Sequence, residues 1–193
     1  MTTAAKFPDW LRPPPGGFVA EDLDRLPDLP PHTELIDGSL VFVSPQAEFH
    51  MTAVSLLEST LRGQAPAGLR VRREMTVTLA HNQRPEPDVV VLRADVGSNR
   101  RRTTYQAEDV VLAIEVVSEE SRTRDRERKP QIYAKAGIPH FWRVEDLDDR
   151  TVAYVYELDP ATGVYTPTGI FHDRLKVSVP FDIDIDLSDI DRL

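Results

Sequence analysis

The sequence contains no cysteine. Disulfides, thiolate zinc sites and cysteine nucleophiles are therefore excluded, and any metal ion must be held by oxygen or imidazole ligands. Long apolar segments are also missing, because no stretch approaches the roughly 20 apolar residues that a membrane-spanning helix needs. The N-terminal residues lack the apolar stretch of a secretory signal. These absences favour a cytoplasmic protein with no membrane partner.

An overall excess of basic charge is missing as well. The formal net charge is −9 at pH 7, which argues against a polyanion binder whose whole surface is basic. Basic residues nevertheless cluster within residues 70–73, 100–102 and 122–129. A local positive cleft could therefore bind nucleic acid, while solvated arginines paired with acids explain each cluster at least as well.

The length and composition favour one domain with one core. The chain has 193 residues, of which 40% are hydrophobic, and a second full domain would be cramped. Residues 13–17 read Pro-Pro-Pro-Gly-Gly, which is typical of an extended or mobile segment. We therefore expect an N-terminal arm over residues 1–17 and a single domain over residues 18–193.

Local patterns predict a chain that mixes strands and helices. Asp37-Gly38 between two short apolar runs predicts a tight hairpin within residues 34–45. Alternation over residues 70–79 predicts one strand, with a bulge near Arg73 left open. The β-branched runs 89–92 and 110–117 are typical of strands buried on both faces at the centre of a sheet. Helices are predicted over 19–26, 48–64 and 124–136, and further strands over 141–144, 151–157, 164–168 and the tail from 181.

The third helix contains Pro130, which fits only the first turn of a helix. The helix therefore either begins near Lys129 or is kinked there. In both cases Lys129 shares a helical face with Asp125, Ile132 and Tyr133, and this face can point towards the strand ends.

Two carboxylates stand at or inside the buried strands. Asp88 directly precedes the run 89–92, and Glu115 interrupts the run 110–117. Burying a carboxylate costs several kcal/mol unless a metal, a cation or hydrogen bonds compensate. If the two strands are neighbours, both acids lie on one side of the sheet, where oxygen ligands can hold Mg²⁺ or Mn²⁺.

The order of motifs resembles that of the Uma-type putative restriction endonuclease family, a branch of the PD-(D/E)XK nuclease superfamily. The motifs are ELIDG in a hairpin, a helix, a strand, PEPDVVV, EVVSEESRTRDRERK and YAKAGIPHFW. The resemblance implies an α/β fold of the α+β type, with a restriction-endonuclease-like mixed sheet flanked by helices. It also implies metal-dependent hydrolysis of DNA phosphodiester bonds.

The resemblance assigns roles to four residues. Asp88 matches the aspartate of the PD motif and Glu115 the acid of the (D/E)XK motif, and both are the implied metal ligands. The residue two positions after Glu115 is Val117 rather than lysine, and Lys129 on the following helix is the substitute. Glu34 matches the acid of the ELIDG segment and is a further candidate site residue.

Plainer interpretations compete for each residue. Asp88 could be a turn residue after Pro87, Lys129 an extended surface side chain and Glu34 an exposed acid. His50 lies near a helix start and could approach the site, whereas the other histidines lack ligand spacing.

The departure at Val117 and the acidic charge balance keep a second function open. A catalytically silent member of the fold could serve as a DNA-binding or protein-interaction module, and a hydrolase of another phosphodiester is a third alternative. Cleaving both strands of DNA is convenient with two sites, so a homodimer is a further expectation.

Overall fold

Twelve strands account for most of the regular structure in the computed structural model, which describes residues 8–97 and 99–193. In chain order they are β1 (Glu34–Ile36), β2 (Ser39–Val41), β3 (Leu69–Arg73), β4 (Thr76–Thr78), β5 (Val89–Arg93), β6 (Thr104–Gln106), β7 (Val110–Val116), β8 (His140–Asp146), β9 (Thr151–Asp159), β10 (Val164–Phe171), β11 (Arg174–Val177) and β12 (Ile183–Asp186).

Six of these strands form one mixed sheet in the order β10-β9-β8-β7-β5-β3. Strands β7 and β8 pair in parallel, and the other neighbouring pairs are antiparallel. The predicted runs 89–92 and 110–117 are the adjacent inner strands β5 and β7. The three later strand predictions are also confirmed, and each strand is longer than predicted.

Two longer helices flank the sheet. Helix α1 spans Glu48–Gln64 and has the predicted bounds, and α2 spans Lys129–Lys135. A π-helical turn, Arg124–Arg128, leads directly into α2, so that Pro130 lies in the first turn of the α-helix. Proline is tolerated there because the first backbone N–H groups of a helix have no intrahelical partner. Short 3₁₀ helices span Asp9–Leu11, Ala20–Asp24, Ala94–Val96, Ala107–Asp109 and Leu187–Arg192.

Alternate residues of each inner strand pack on opposite sides of the sheet, because successive side chains of a strand point to opposite faces. Val89 and Val91 pack in the core that contains α1. Val90 and Leu92 pack in a second core, which contains Tyr133 of α2. The unbroken apolar runs of β5 and β7 are therefore explained by burial on both faces.

The predicted hairpin is formed by β1 and β2. Ile36 pairs with Ser39, which leaves Asp37 and Gly38 as a two-residue turn with φ values of 53° and 73°. A tight two-residue hairpin turn of type I′ requires positive φ at both positions. Gly17 lies against this turn, and a Cβ atom on it would meet the carbonyl oxygen of Gly38 at 2.9 Å.

The prediction of one strand over residues 70–79 is wrong. The chain breaks at Glu74, whose φ is 52°, a conformation that a continuous strand does not allow. Strand β3 stays at the edge of the main sheet, whereas β4 leaves it and pairs in parallel with β6.

The tail forms strand β12 as predicted, but this strand pairs with β11 in a separate ribbon. Together, the six-stranded mixed sheet, the N-terminal hairpin and the few flanking helices form an α+β fold compatible with a restriction-endonuclease-like core. Residues 1–7 of the expected N-terminal arm lie outside the described residues. Within the described ranges, no helix is both long enough and apolar enough to cross a membrane.

Candidate metal and catalytic site

The two predicted carboxylates lie side by side on neighbouring strands. Val89 pairs with Ile114, so Asp88, one residue before β5, lies beside Glu115 of β7. Glu115 belongs to the face that α2 covers, where Lys129 and Tyr133 contact it. One oxygen of Asp88, Oδ2, accepts a hydrogen bond of 2.6 Å from the backbone N–H of Val116. The prediction that both acids share one side of the sheet agrees with this register.

Lys129, the first residue of α2, contacts carboxyl groups of both the hairpin and strand β7. Its ammonium nitrogen Nζ lies 2.8 Å from Oε2 of Glu115, 2.9 Å from Oε1 of Glu34 and 3.3 Å from Oδ1 of Asp125. The side chain is almost fully buried, with 4% of the residue exposed. Interpretations of Lys129 as a surface lysine and of Glu34 as an exposed acid are therefore excluded.

Local structure explains why these groups converge. Asp125 and Lys129 are four residues apart on the helical segment, so their side chains lie on one face. Tyr133 is four residues further along and donates a hydrogen bond of 2.5 Å to Oε1 of Glu115. Glu34 is the first residue of β1, and its Oε1 also accepts a hydrogen bond of 2.8 Å from the backbone N–H of Glu86.

The buried cluster contains more acidic than basic groups. Burial raises the pKa of Glu115 well above its usual value, although the nearby charge of Lys129 opposes the shift. Burial also raises the pKa of Asp125. Burial alone would lower the pKa of Lys129, but the charges of Asp125, Glu115 and Glu34 outweigh it and raise that pKa well above its ordinary range. Lys129 is therefore charged at neutral pH, and three carboxyl groups share its single positive charge.

A histidine lies on the other side of Asp88. Nε2 of His50, in the first turn of α1, lies 3.0 Å from Oδ1 of Asp88. Burial opposes the charged form of His50, but its hydrogen bond to Asp88 and the charge of that carboxylate outweigh burial and raise its pKa. Both oxygens of Asp88 therefore have partners, one on β7 and one on α1.

These groups line an open cavity of about 330 Å³. Its wall carries many more carboxylates than fixed positive charges. The carboxylates belong to Glu34, Glu74, Glu86, Asp88, Glu115, Glu120 and Asp125, and the positive charges to Arg124 and Lys129.

The donors fit a divalent metal ion in type. Carboxylate oxygens are the ligands that Mg²⁺ and Mn²⁺ prefer, and an excess of negative charge favours a cation. Within residues 8–97 and 99–193, however, no three acidic or histidine side chains already converge at metal-binding spacing. Lys129 instead holds Glu34, Glu115 and Asp125 together.

The sequence singled out four of the residues that meet here: Glu34, Asp88, Glu115 and Lys129. It placed Asp125 and Tyr133 on the face of Lys129 without giving them a role, although their spacing was the signal. His50 was noted only as a residue that could approach the site. Glu74 and Glu86 carried no local signal, because only the turn at Glu74 and the pairing near β1 bring them to the cavity.

Comparisons with known proteins bear on the family and on the fold. The model of the family Uma2, described as "Putative restriction endonuclease", matches residues 20–188. A search of curated proteins gives no match.

Among solved structures, a putative nuclease belonging to DUF820 from Anabaena variabilis is similar with a TM-score of 0.62 and 17% identity, over 91% of this chain and 93% of that chain. NucC of P. aeruginosa in its cAAA-bound form gives a TM-score of 0.37 and 12% identity, over 60% of this chain and 69% of that chain. The first likeness supports the fold, and the second is too weak to support any argument.

Proposed function

This chain belongs to the Uma2 family, described as putative restriction endonucleases, and from that premise we propose that it is a metal-dependent nuclease that hydrolyses DNA phosphodiester bonds. The observation that carries the proposal is the pair Asp88 and Glu115, set beside the buried ammonium group of Lys129 at the wall of an acidic cavity. Buried charges that are incompletely compensated cluster at functional sites more often than elsewhere.

Asp88 and Glu115 would hold the metal ion, Mg²⁺ or Mn²⁺. An ion held there would polarise the phosphate and lower the pKa of the attacking water.

The protein's own groups supply positioning and charge. Lys129 remains protonated and can oppose the negative charge that builds up on the phosphate in the transition state. Glu34 and Asp125 hold the ammonium group in place. His50 and the backbone N–H of Val116 fix the orientation of the Asp88 carboxylate.

Nicking of supercoiled plasmid DNA in Mg²⁺ or Mn²⁺ tests the proposal. We expect Asp88→Asn to lower the nicking rate by about 10²–10³-fold, the usual effect of removing one electrostatic stabiliser from an active site. Asp189→Asn, at a partly exposed acid that pairs with Arg192, is the matched control and should nick at the wild-type rate. Equal nicking by wild type and Asp88→Asn, or nicking that persists in EDTA, would reject the site.

One observation favours a second candidate, a silent module that keeps the fold and binds DNA or protein. Both oxygens of Glu115 and both oxygens of Asp88 already have partners within the protein. In that case the carboxylates are structural, and DNA is bound without nicking in any divalent metal. A homodimer, in which two sites would act on the two strands, stays a prediction that analytical ultracentrifugation can test.

A further inference from the structure

A second cavity, of about 410 Å³, lies on the other side of the helix that carries Lys129. Lys129 and Tyr133 point to Glu115, whereas Gln131, Ala134 and Lys135 of the same helix line this cavity. Three cationic side chains contribute to its wall, those of Arg126, Lys135 and Arg143, and no carboxylate does. This composition is the reverse of the first cavity, in a protein whose net charge is −9.

The cationic groups of the second cavity are held in place but not neutralised. Arg126 and Arg143 both pair with the one carboxylate of Glu145. The guanidinium group of Arg143 also lies over the ring of Tyr154, 4.5 Å from its centroid. Lys135 has no ion-pair partner among the residues that the structure describes. One carboxylate therefore balances three cations, which leaves two positive charges at the cavity.

A cleft of mixed charge lies between the two cavities. His50 lines both the first cavity and this cleft, and Arg126 lines both the cleft and the second cavity. The cleft also contains Arg122 and the carboxylates of Glu119, Glu145 and Asp146. The two cavities are therefore neighbours through this cleft, and the basic character belongs to the second cavity alone.

The chemistry of the second cavity matches a nucleic acid strand. Arginine and lysine neutralise phosphates, and aromatic or apolar walls accept the faces of bases in a sequence-tolerant way. Tyr156 and Val164 provide such a wall, and Val164 is 57% exposed although it is apolar.

We propose that the cavity lined by Arg126, Lys135, Arg143, Tyr156 and Val164 binds the phosphodiester backbone and a base of a single DNA strand that continues from the cavity of Asp88 and Glu115. This inference rests on the proposed function in one respect, because it takes that first cavity as the place where the strand is cut. The contact itself needs no metal ion, because protein cations meet the phosphates.

Fluorescence anisotropy with labelled oligo-dT tests the contact apart from cleavage, because it can be measured in EDTA. Single-strand binding sites usually span about 4 to 16 nucleotides. Within this range, longer oligonucleotides should bind more tightly until the strand is long enough to contact both cavities. Lys135→Glu should weaken the longest by about tenfold and reduce the steepness of the salt dependence by about 0.7 in slope. Lys135→Gln should lie between the wild type and Lys135→Glu.

Lys176→Glu is the matched control, because Lys176 is an exposed lysine on β11, away from both cavities. It should bind like the wild type, and all variants should melt like the wild type. Equal binding by Lys135→Glu and Lys176→Glu, or no binding by the wild type at any length, would overturn the inference. Binding of free dTMP as tight as that of the longest oligonucleotide would overturn the strand assignment in favour of a mononucleotide site. None of these results depends on nicking, so failure of the proposed function would be recognised separately.

Discussion

Two buried glutamates on the neighbouring strands β7 and β8 have opposite surroundings. Glu115 is 1% exposed and Glu145 is 2% exposed. Glu115 shares one lysine with two further carboxylates, those of Glu34 and Asp125. Glu145 forms ion pairs with Arg126 and Arg143, and within the described ranges no other carboxylate shares these arginines.

The difference agrees with a structural role for Glu145 and with the metal-binding role proposed for Glu115. Burial of a charge is costly unless partners compensate, and the arginines do so fully for Glu145. The Lys129 cluster, defined by Glu34, Glu115, Asp125 and Lys129, keeps three carboxyl groups around one cation next to an open cavity. An excess of carboxyl groups adds no stability of its own, and the metal ion proposed above would compensate it.

The largest expected effect is that of Lys129→Met on stability. Removal of the ammonium group leaves three buried carboxyl groups without their cation, and breaking a buried ion pair in this way typically costs about 3–5 kcal/mol. Urea denaturation in EDTA measures the change in the free energy of unfolding. Lys135→Met, on the exposed side of the same helix, should stay within about 0.5 kcal/mol of the wild type.

Metal ions should partly rescue Lys129→Met, because a cation bound at the carboxylates replaces the lost charge. A ligand at about 100 times its Kd adds about 2.7 kcal/mol to the free energy of unfolding. We expect Mg²⁺ to stabilise Lys129→Met by more than it stabilises the wild type. Identical stability of Lys129→Met and the wild type would show that the ammonium group compensates nothing.

A smaller loss is expected for Glu145→Gln. The substitution leaves Arg126 and Arg143 with a neutral acceptor, and hydrogen bonds to charged groups are worth about 1.5–3 kcal/mol. Glu127→Gln, at an exposed glutamate of the π-helical turn, is the control. If Glu145→Gln leaves the free energy of unfolding unchanged, Glu145 has no structural role in stabilising the protein.

The smallest expected effect on stability is that of removing the charge of Asp24, which forms an ion pair with Arg84. The hydrogen bond from Arg84, chiefly, lowers the pKa of Asp24. A lowered pKa in the folded state gives stability that is present above the unfolded-state pKa and is lost as the pH falls through the folded-state pKa. Because the Asp24 side chain is 45% exposed, solvent screens the pair and we expect Asp24→Asn to cost at most about 1 kcal/mol.

The pH dependence checks this assignment. The difference in unfolding free energy between the wild type and Asp24→Asn should be full at neutral pH and should disappear in acid. A difference of the same size at both ends of the pH range would mean that packing, rather than charge, causes it.

The sequence predicts most of the sheet and fails where the backbone departs from regular geometry. The apolar runs of β5 and β7 and the spacing of α1 are local patterns, and each predicted its element. The alternation of residues 70–79 slips near Arg73, which left a bulge open, but it does not show that the chain leaves the sheet at Glu74, because an acidic residue with positive φ carries no local signal. Strands β6 and β11 are short and were missed, since tertiary pairing rather than pattern selects them.

The sequence predicted which residues form the site, but it did not predict which of their side chains contact one another. The motifs pointed to Glu34, Asp88, Glu115 and Lys129, and helical spacing placed Asp125 and Tyr133 on the face of Lys129. That Lys129 touches three carboxylates depends on how the hairpin, the strands and the π-helical turn pack together. Long-range packing of this kind is not encoded in spacing along the chain.

Calorimetric titration with Mg²⁺ and Mn²⁺ measures whether Asp88 and Glu115 bind a metal ion. The wild type and Glu145→Gln should bind the metal with the same affinity, and the double variant Asp88→Asn/Glu115→Gln should bind none. If the wild type binds no metal, or if the double variant binds as the wild type does, the acidic excess around Lys129 is structural and the account of the site is contradicted.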